Sequence, residues 1–317
     1  MPTPPYRPVN AMTFPRFEGI RTFMRLPEVE DLTGVDVAVA GVPFDTGATY
    51  RVGARFGPSA IRHESMLLRP YHPEHRVDLF ERLSVADVGD LPVTPGYLPE
   101  SHAQIEEGAA RLVEAGVVPL FLGGDHSVSL PLLRAVAKRH GPVALVHFDA
   151  HNDLWHGYFG GKDTHGTPFR RALEEGLIDT DRSIQVGLRG PVYDQDDVEM
   201  TEQLGMAMIR APELHRRGGA DVAREVHERA RGEGPRYLSF DIDVLDPVYA
   251  PGTGTPEVGG ATSVQALELL RGLAGLDFVG YDLVEVMPPY DVGGVTALLA
   301  ANLAYEMLAL AAVARGD

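Results

Sequence analysis

The sequence predicts a three-layer α/β/α fold built on a parallel sheet of about eight strands, and three observations predict it. Apolar runs rich in Val, Leu, Ile and Phe recur without polar alternation, as strands buried on both faces require. Helical patterns fall between them, so strand and helix alternate along the chain. Several runs end abruptly in Gly, Asp or Pro, which marks strand ends. A closed eight-stranded barrel shares this alternation, and periodicity alone leaves it as the competing arrangement.

The elements follow in order. Residues 1–30 form an N-terminal arm with five prolines in its first fifteen residues. The arm lacks a charged stretch followed by an apolar one, so no secretory signal is expected. Apolar runs at 35–43 and 83–90 open the sheet, and residues 99–115 carry the first long helical pattern. Strands at 117–124 and 143–149 then flank a helix at 127–139. Helices at 167–175, 194–204 and 220–231 alternate with strands at 183–189, 206–210 and 237–243. A helix at 263–274, a strand at 278–286 and a helix over the last twenty residues close the chain. The longest apolar segment, 295–314, is interrupted by Asn302 and Glu306 and reads as a helix packed on the sheet rather than a membrane span. No stretch reads as a linker, so residues 1–317 are expected to form a single domain.

Composition excludes several function classes. With 45 acidic against 28 basic residues, the formal net charge is −17. Such a surface repels phosphate backbones, so neither nucleic acid nor an anionic membrane is an expected partner. The chain has no cysteine, which removes disulfides, thiolate metal sites and a cysteine nucleophile. A cytoplasmic location is expected, and any metal must be held by imidazoles and carboxylates.

In an open α/β sheet, ligands gather at the carboxyl ends of the strands. Three strand ends here carry metal-ligand residue types. The first is Leu122-Gly-Gly-Asp-His126-Ser. The second is Asp149-Ala-His151-Asn-Asp153, where a persisting extended backbone would point the three groups to one side. The third is Ser239-Phe-Asp241-Ile-Asp243-Val-Leu-Asp246-Pro, where Phe240 and Ile242 would face the core while Asp241 and Asp243 face the second cluster. Buried carboxylates gathered without a cation are electrostatically poor. Four Asp and two His, with no sulfur, suit a hard or borderline divalent ion such as Mn²⁺, and they suffice for two ions when carboxylates bridge. Zinc shares these ligand types.

With these motifs the chain resembles the ureohydrolase family, which includes arginase, agmatinase, guanidinobutyrase, guanidinopropionase and proclavaminate amidinohydrolase. Further matching stretches are Gly252-Thr-Gly-Thr255-Pro, His165-Gly-Thr-Pro-Phe and Asp282-Leu-Val-Glu285-Val, all in the family's order. The resemblance implies a binuclear manganese centre, two Mn²⁺ per subunit. One ion is assigned to His126, Asp149, Asp153 and Asp241, and the other to Asp149, His151, Asp241 and Asp243. It also implies attack of an activated water on a guanidinium carbon, releasing urea and an amine. His165, Glu285 and Asp153 then form the catalytic set, with His165 as proton shuttle and Glu285 as the guanidinium's partner. Asp282 reads as structural. A homo-oligomer, trimer or hexamer, is expected by the same resemblance.

The stretch Tyr50-Arg-Val-Gly-Ala-Arg55-Phe-Gly-Pro looks agmatinase-like and is expected to serve packing and loop order. Where arginases carry Gly-Leu-Arg-Asp, this chain has Gly187-Leu-Arg189-Gly190, and Val192 stands where the α-amino-recognising acid would fall. Arginine is thereby disfavoured. Thr255, Tyr158, Trp155 and Asn152 are expected at the substrate. Lys162 or Arg189 could meet a tail carboxylate, and Asp163 or Asp194 a tail ammonium. Agmatine is the expected small-molecule guanidino substrate, 4-guanidinobutyrate or 3-guanidinopropionate the alternative, and a one-zinc deacetylase-like amidohydrolase a more remote one.

Overall fold

The computed structural model describes residues 4–316, so the first three residues of the expected arm lie outside it. Among the described residues ten strands form in chain order: β1 (Val37–Gly41), β2 (Tyr71–His72), β3 (Val77–Asp78), β4 (Val85–Asp90), β5 (Val118–Leu122), β6 (Ala144–Phe148), β7 (Ile184–Leu188), β8 (Ala207–Arg210), β9 (Arg236–Asp241) and β10 (Gly280–Val284). Eight of them make one sheet of order β4-β1-β5-β10-β9-β6-β7-β8, with every pairing parallel. The sheet is open, with β4 and β8 at its edges, so the barrel alternative falls. β2 and β3 form a short antiparallel hairpin that the apolar pattern did not reveal, because two-residue strands carry no period.

Ten α-helices cover the sheet: α1 (Gly57–Glu64), α2 (Leu79–Arg82), α3 (Leu98–Glu114), α4 (Ser129–His140), α5 (Pro168–Glu174), α6 (Gln195–Gln203), α7 (Ala211–Arg217), α8 (Gly219–Ala230), α9 (Ser263–Arg271) and α10 (Val295–Ala314). α1, α7, α8, α9 and α10 pack into the core on one face. α3, α4 and α5 pack into the core on the other, with Met200 of α6 against it. α10 is apolar around its whole circumference, as a helix enclosed on all sides should be. It is long and apolar enough to cross a membrane, yet 72% of its most apolar window is buried inside the protein. Its one acid, Glu306, is satisfied by Arg271 and His72.

The N-terminal arm shields an edge. Val85 N–H donates to Tyr6 O, and Asp87 N–H donates to Pro27 O, so the arm runs beside β4. Phe23, Met24 and Leu26 are buried there, and Asp87 binds Phe23 N–H and the Arg62 guanidinium.

Register positions the functional residues. β5, β10, β9 and β6 are adjacent in the middle of the sheet, where chain direction along the sheet order reverses. Phe148 pairs with Phe240 and Val284 pairs with Asp241. Asp149, Asp241 and Glu285 therefore emerge side by side, with His126 following β5.

Candidate metal centre and guanidine pocket

The extended backbone expected through 149–153 and 241–243 does not persist. β6 and β9 end at Phe148 and Asp241, and residues 242–244 form a 3₁₀ turn. The cause is local. Asp149 accepts the His151 N–H at 2.6 Å, Asp241 accepts the Asp243 N–H at 2.8 Å, and Asp125 accepts the Ser127 N–H at 3.0 Å. Each strand-end aspartate captures the amide two residues on and turns the chain. Asp153 then takes a left-handed φ of 54°. The ligand types converge through turns rather than along a strand. Gly124 is required beside them, because a Cβ there would overlap the Phe44 carbonyl oxygen.

The six residues come together in two groups. His126 Nδ1 lies 3.1 Å from Asp149, 2.9 Å from Asp153 and 3.1 Å from Asp241. His151 Nδ1 lies 3.0 Å from Asp243 and 3.5 Å from Asp149, so Asp149 belongs to both groups. Only His151 is appreciably exposed.

The donor set fits a cation. Ser239 Oγ–H donates to Asp282 at 2.6 Å, so the contact of 2.9 Å between His126 Nε2 and Ser239 Oγ needs the ring proton on Nε2. Nδ1 faces three carboxylates, which hold a second proton on the ring well above the usual imidazole range, and a cation there would take that proton's place on the Nδ1 lone pair. His126 Nδ1 and Asp243 Oδ2 are buried without a hydrogen-bond partner among the described residues. Burial, with repulsion from Asp243 and Asp149, pushes the Asp241 carboxyl well above the usual range, and burial with Asp149 lifts Asp243 to about 6. Carboxylates so placed stay ionised together when positive charge shares the site.

A residue outside the expected set supports this centre. His147, fully buried on β6, has Nε2 2.9 Å from Asp149. Gln185 places its amide 2.9 Å from His147 Nδ1 and also donates to Asn152 O, while Thr201 donates to the Gln185 carbonyl oxygen at 2.6 Å. This order fixes the amide, puts the ring proton on Nε2 and aims it at Asp149. The signal available in sequence was a histidine two residues before Asp149, hidden inside an apolar run.

Glu285 sits at a φ of 64° directly after β10. Its Oε1 lies 3.0 Å from His165 Nδ1 and accepts the His126 N–H at 2.9 Å, while Oε2 is buried and unpaired among the described residues. Glu285 and Asp125 overcome the cost of burial and raise His165 to about 9. The other ring nitrogen lies 2.6 Å from Thr49 Oγ1. Gly47 holds the ring's segment, accepting His165 N–H at 2.9 Å and donating to Asp125 at 2.7 Å. Asp282 accepts from Ser129, Tyr237 and Ser239 in the core, the structural role expected of it.

A cavity of about 600 Å³ opens over these groups. Trp155, Tyr158 and Thr255 line it, as do Tyr50, Arg51, Val192, Tyr193 and Glu257. Tyr50 and Arg51, from the stretch expected to serve packing and loop order, are thus also cavity-lining residues. Asn152 does not line it: its side chain donates to Asp197 O and accepts Leu154 N–H. The four residues expected to read a tail charge are also elsewhere. Arg189 is buried, with its guanidinium on the carbonyls of Gly187, Asp243, Val244, Leu245 and Glu257. Asp194 caps α6. Lys162 and Asp163 lie outside the lining. Apart from the metal-type residues and His165, the charged side chains that line the cavity are Arg51 and Glu257. Arg51 donates to Thr253 O at 3.3 Å and stacks on Tyr290 at 4.7 Å. Glu257 has no side-chain hydrogen bond among the described residues. It lies against Gly190, where a Cβ would stand 2.5 Å from its carboxyl carbon.

Known proteins are similar to this chain. Over 306 residues the chain is 49% identical to a guanidinobutyrase of Pseudomonas aeruginosa, covering 96% of each chain. It is 49% identical to a mitochondrial agmatinase of Gallus gallus, covering 95% of this chain and 88% of the other. The solved structure of proclavaminate amidino hydrolase from Streptomyces clavuligerus superposes with a TM-score of 0.90 at 41% identity, over 95% of this chain and all of that one. The family model described as "Arginase: Arginase family" matches residues 35–309, and the chain belongs to that family of hydrolases acting on guanidino compounds.

Proposed function

We propose that this protein hydrolyses agmatine to putrescine and urea with two Mn²⁺ ions. His126, Asp149, Asp153 and Asp241 would hold one ion, and Asp149, His151, Asp241 and Asp243 the other. Divalent ions bound there would supply Lewis acidity that lowers the pKa of a water. The chain's own residues do the rest. The unpaired Oε2 of Glu285 faces a guanidinium N–H and orients the planar group. His165, protonated at neutral pH through Glu285, gives its proton to the leaving amine. Trp155 and Tyr158 enclose the aliphatic spacer, and Thr255 adds a hydroxyl at the wall. The deacetylase-like alternative is not favoured, given the family and two donor groups that share Asp149.

The observation that carries the agmatine reading is Glu257, a carboxylate in the cavity wall with no side-chain hydrogen bond among the described residues, near enough to Arg189 to feel its charge and available to a tail ammonium. It takes space that Gly190 leaves open. Glu257→Gln should raise KM for agmatine about tenfold, the loss of one charge-assisted contact, with kcat little changed. Unchanged agmatine KM would remove the basis of this reading. Arg51 favours a second reading, 4-guanidinobutyrate, because its guanidinium lines the same mouth and pairs with a tail carboxylate. Under that reading Arg51→Met raises KM for guanidinobutyrate, and Glu257→Gln lowers it.

A further inference from the structure

The walls of the cavity are held from behind by a residue that does not line it. Asp197 lies in the first turn of α6 and is 8% exposed. Its Oδ1 accepts the Trp155 indole N–H at 3.0 Å, and its Oδ2 accepts the Tyr193 backbone N–H at 3.0 Å. Trp155 and Tyr193 come from different loops, one after β6 and one after β7, and their rings meet edge to face at 6.3 Å. Tyr158 also meets the indole edge to face, at 5.7 Å, and its hydroxyl interacts with that of Tyr193. Asp197 is itself anchored. Its N–H donates to Asp194, and its carbonyl accepts from Asn152, whose own carbonyl accepts from Gln185.

We propose that Asp197 is a positioning residue for substrate specificity: one carboxylate clamps Trp155 and the 191–194 loop into the aromatic wall that grips the substrate tail. Two donors converge on it, one on each oxygen, an arrangement that a carboxylate supplies and an amide, with a single acceptor oxygen, does not. The remote Asn152 thereby contributes through Asp197 rather than at the substrate. The indole and tyrosine rings are held without spending their faces, which remain for the methylene spacer. The proposal rests on the guanidine-hydrolase reading but is indifferent to the sign of the tail charge.

The test uses the metal-loaded enzyme and its sole tryptophan, Trp155. In Asp197→Asn one N–H loses its acceptor, so the wall loosens. KM for agmatine should rise about tenfold with kcat within about twofold, the size of one lost buried hydrogen bond. Methylguanidine, which has almost no tail, should keep its kinetic constants. Trp155 emission should shift to longer wavelength, and Mn²⁺ content should match wild type. Trp155→Phe keeps a ring but removes the N–H, and with Asp197→Asn it should be less than additive in KM. If 4-guanidinobutyrate is the better wild-type substrate, its KM should be the one that rises, which defeats the agmatine reading and supports the clamp. Equal losses for methylguanidine and the tailed substrates, or unchanged emission and KM, would overturn it.

Discussion

His165 Nδ1 stands 3.0 Å from Glu285 Oε1, and the second oxygen of the same carboxylate is buried without a hydrogen-bond partner among the described residues. One side chain therefore serves two tasks, keeping a proton on the imidazole and presenting a free acceptor to a guanidinium. The left-handed backbone at Glu285 allows this, turning the residue out of the strand end between His126 and His165.

The first prediction concerns that proton. Burial alone would lower His165, and Glu285 is the main group that raises it to about 9. In Glu285→Gln the imidazole should titrate at about 6.5 or lower. Side-chain NMR on the metal-free protein reads this directly. The raised pKa also stabilises the wild-type fold below about 6.5 and ceases to do so as pH rises through about 9. The stability gap between wild type and Glu285→Gln should therefore narrow across that window.

His147 should control metal affinity without touching metal. His147→Ala removes the donor that orients Asp149, and Mn²⁺ affinity of the apo protein should fall about 10–100-fold by calorimetry. His147→Asn, which keeps a donor, should recover part of it. Equal affinity in all three proteins would mean that Asp149 needs no orientation.

The arm's docking should be costly to disturb. Asp87 is fully buried and binds Arg62, which is also buried, together with Phe23 N–H. Asp87→Ala leaves the buried guanidinium with only the exposed Asp90 and the Gly89 carbonyl, and should cost about 1.5–3 kcal/mol in denaturant unfolding. A loss within about 0.5 kcal/mol would show that the pair contributes little.

The sheet was legible because its strands are buried on both faces, and uninterrupted Val, Leu, Ile and Phe runs follow from that. The short elements were not: β2, β3 and α7 span too few residues to show a period. Five of the six metal-type residues were visible as Asp-x-His-x-Asp and Asp-x-Asp spacings and His126 as a Gly-Gly-Asp-His strand end, although aspartate-to-amide turns, not an extended backbone, bring them together. The tail pocket was largely hidden. Arg189 reads as an exposed loop cation, yet it is buried on five carbonyls, a use of arginine that leaves no pattern. Asp197 and Glu257 lie 42 and 102 residues from Trp155, and only the fold places them beside one cavity.

The most direct test of the account is urea release by Mn²⁺-loaded enzyme from agmatine, 4-guanidinobutyrate, 3-guanidinopropionate and arginine, with Mn²⁺ counted per chain. The account predicts two ions per chain and the highest kcat/KM on agmatine, with arginine poorest. A tenfold preference for either guanidino acid, or a single ion per chain, would contradict it.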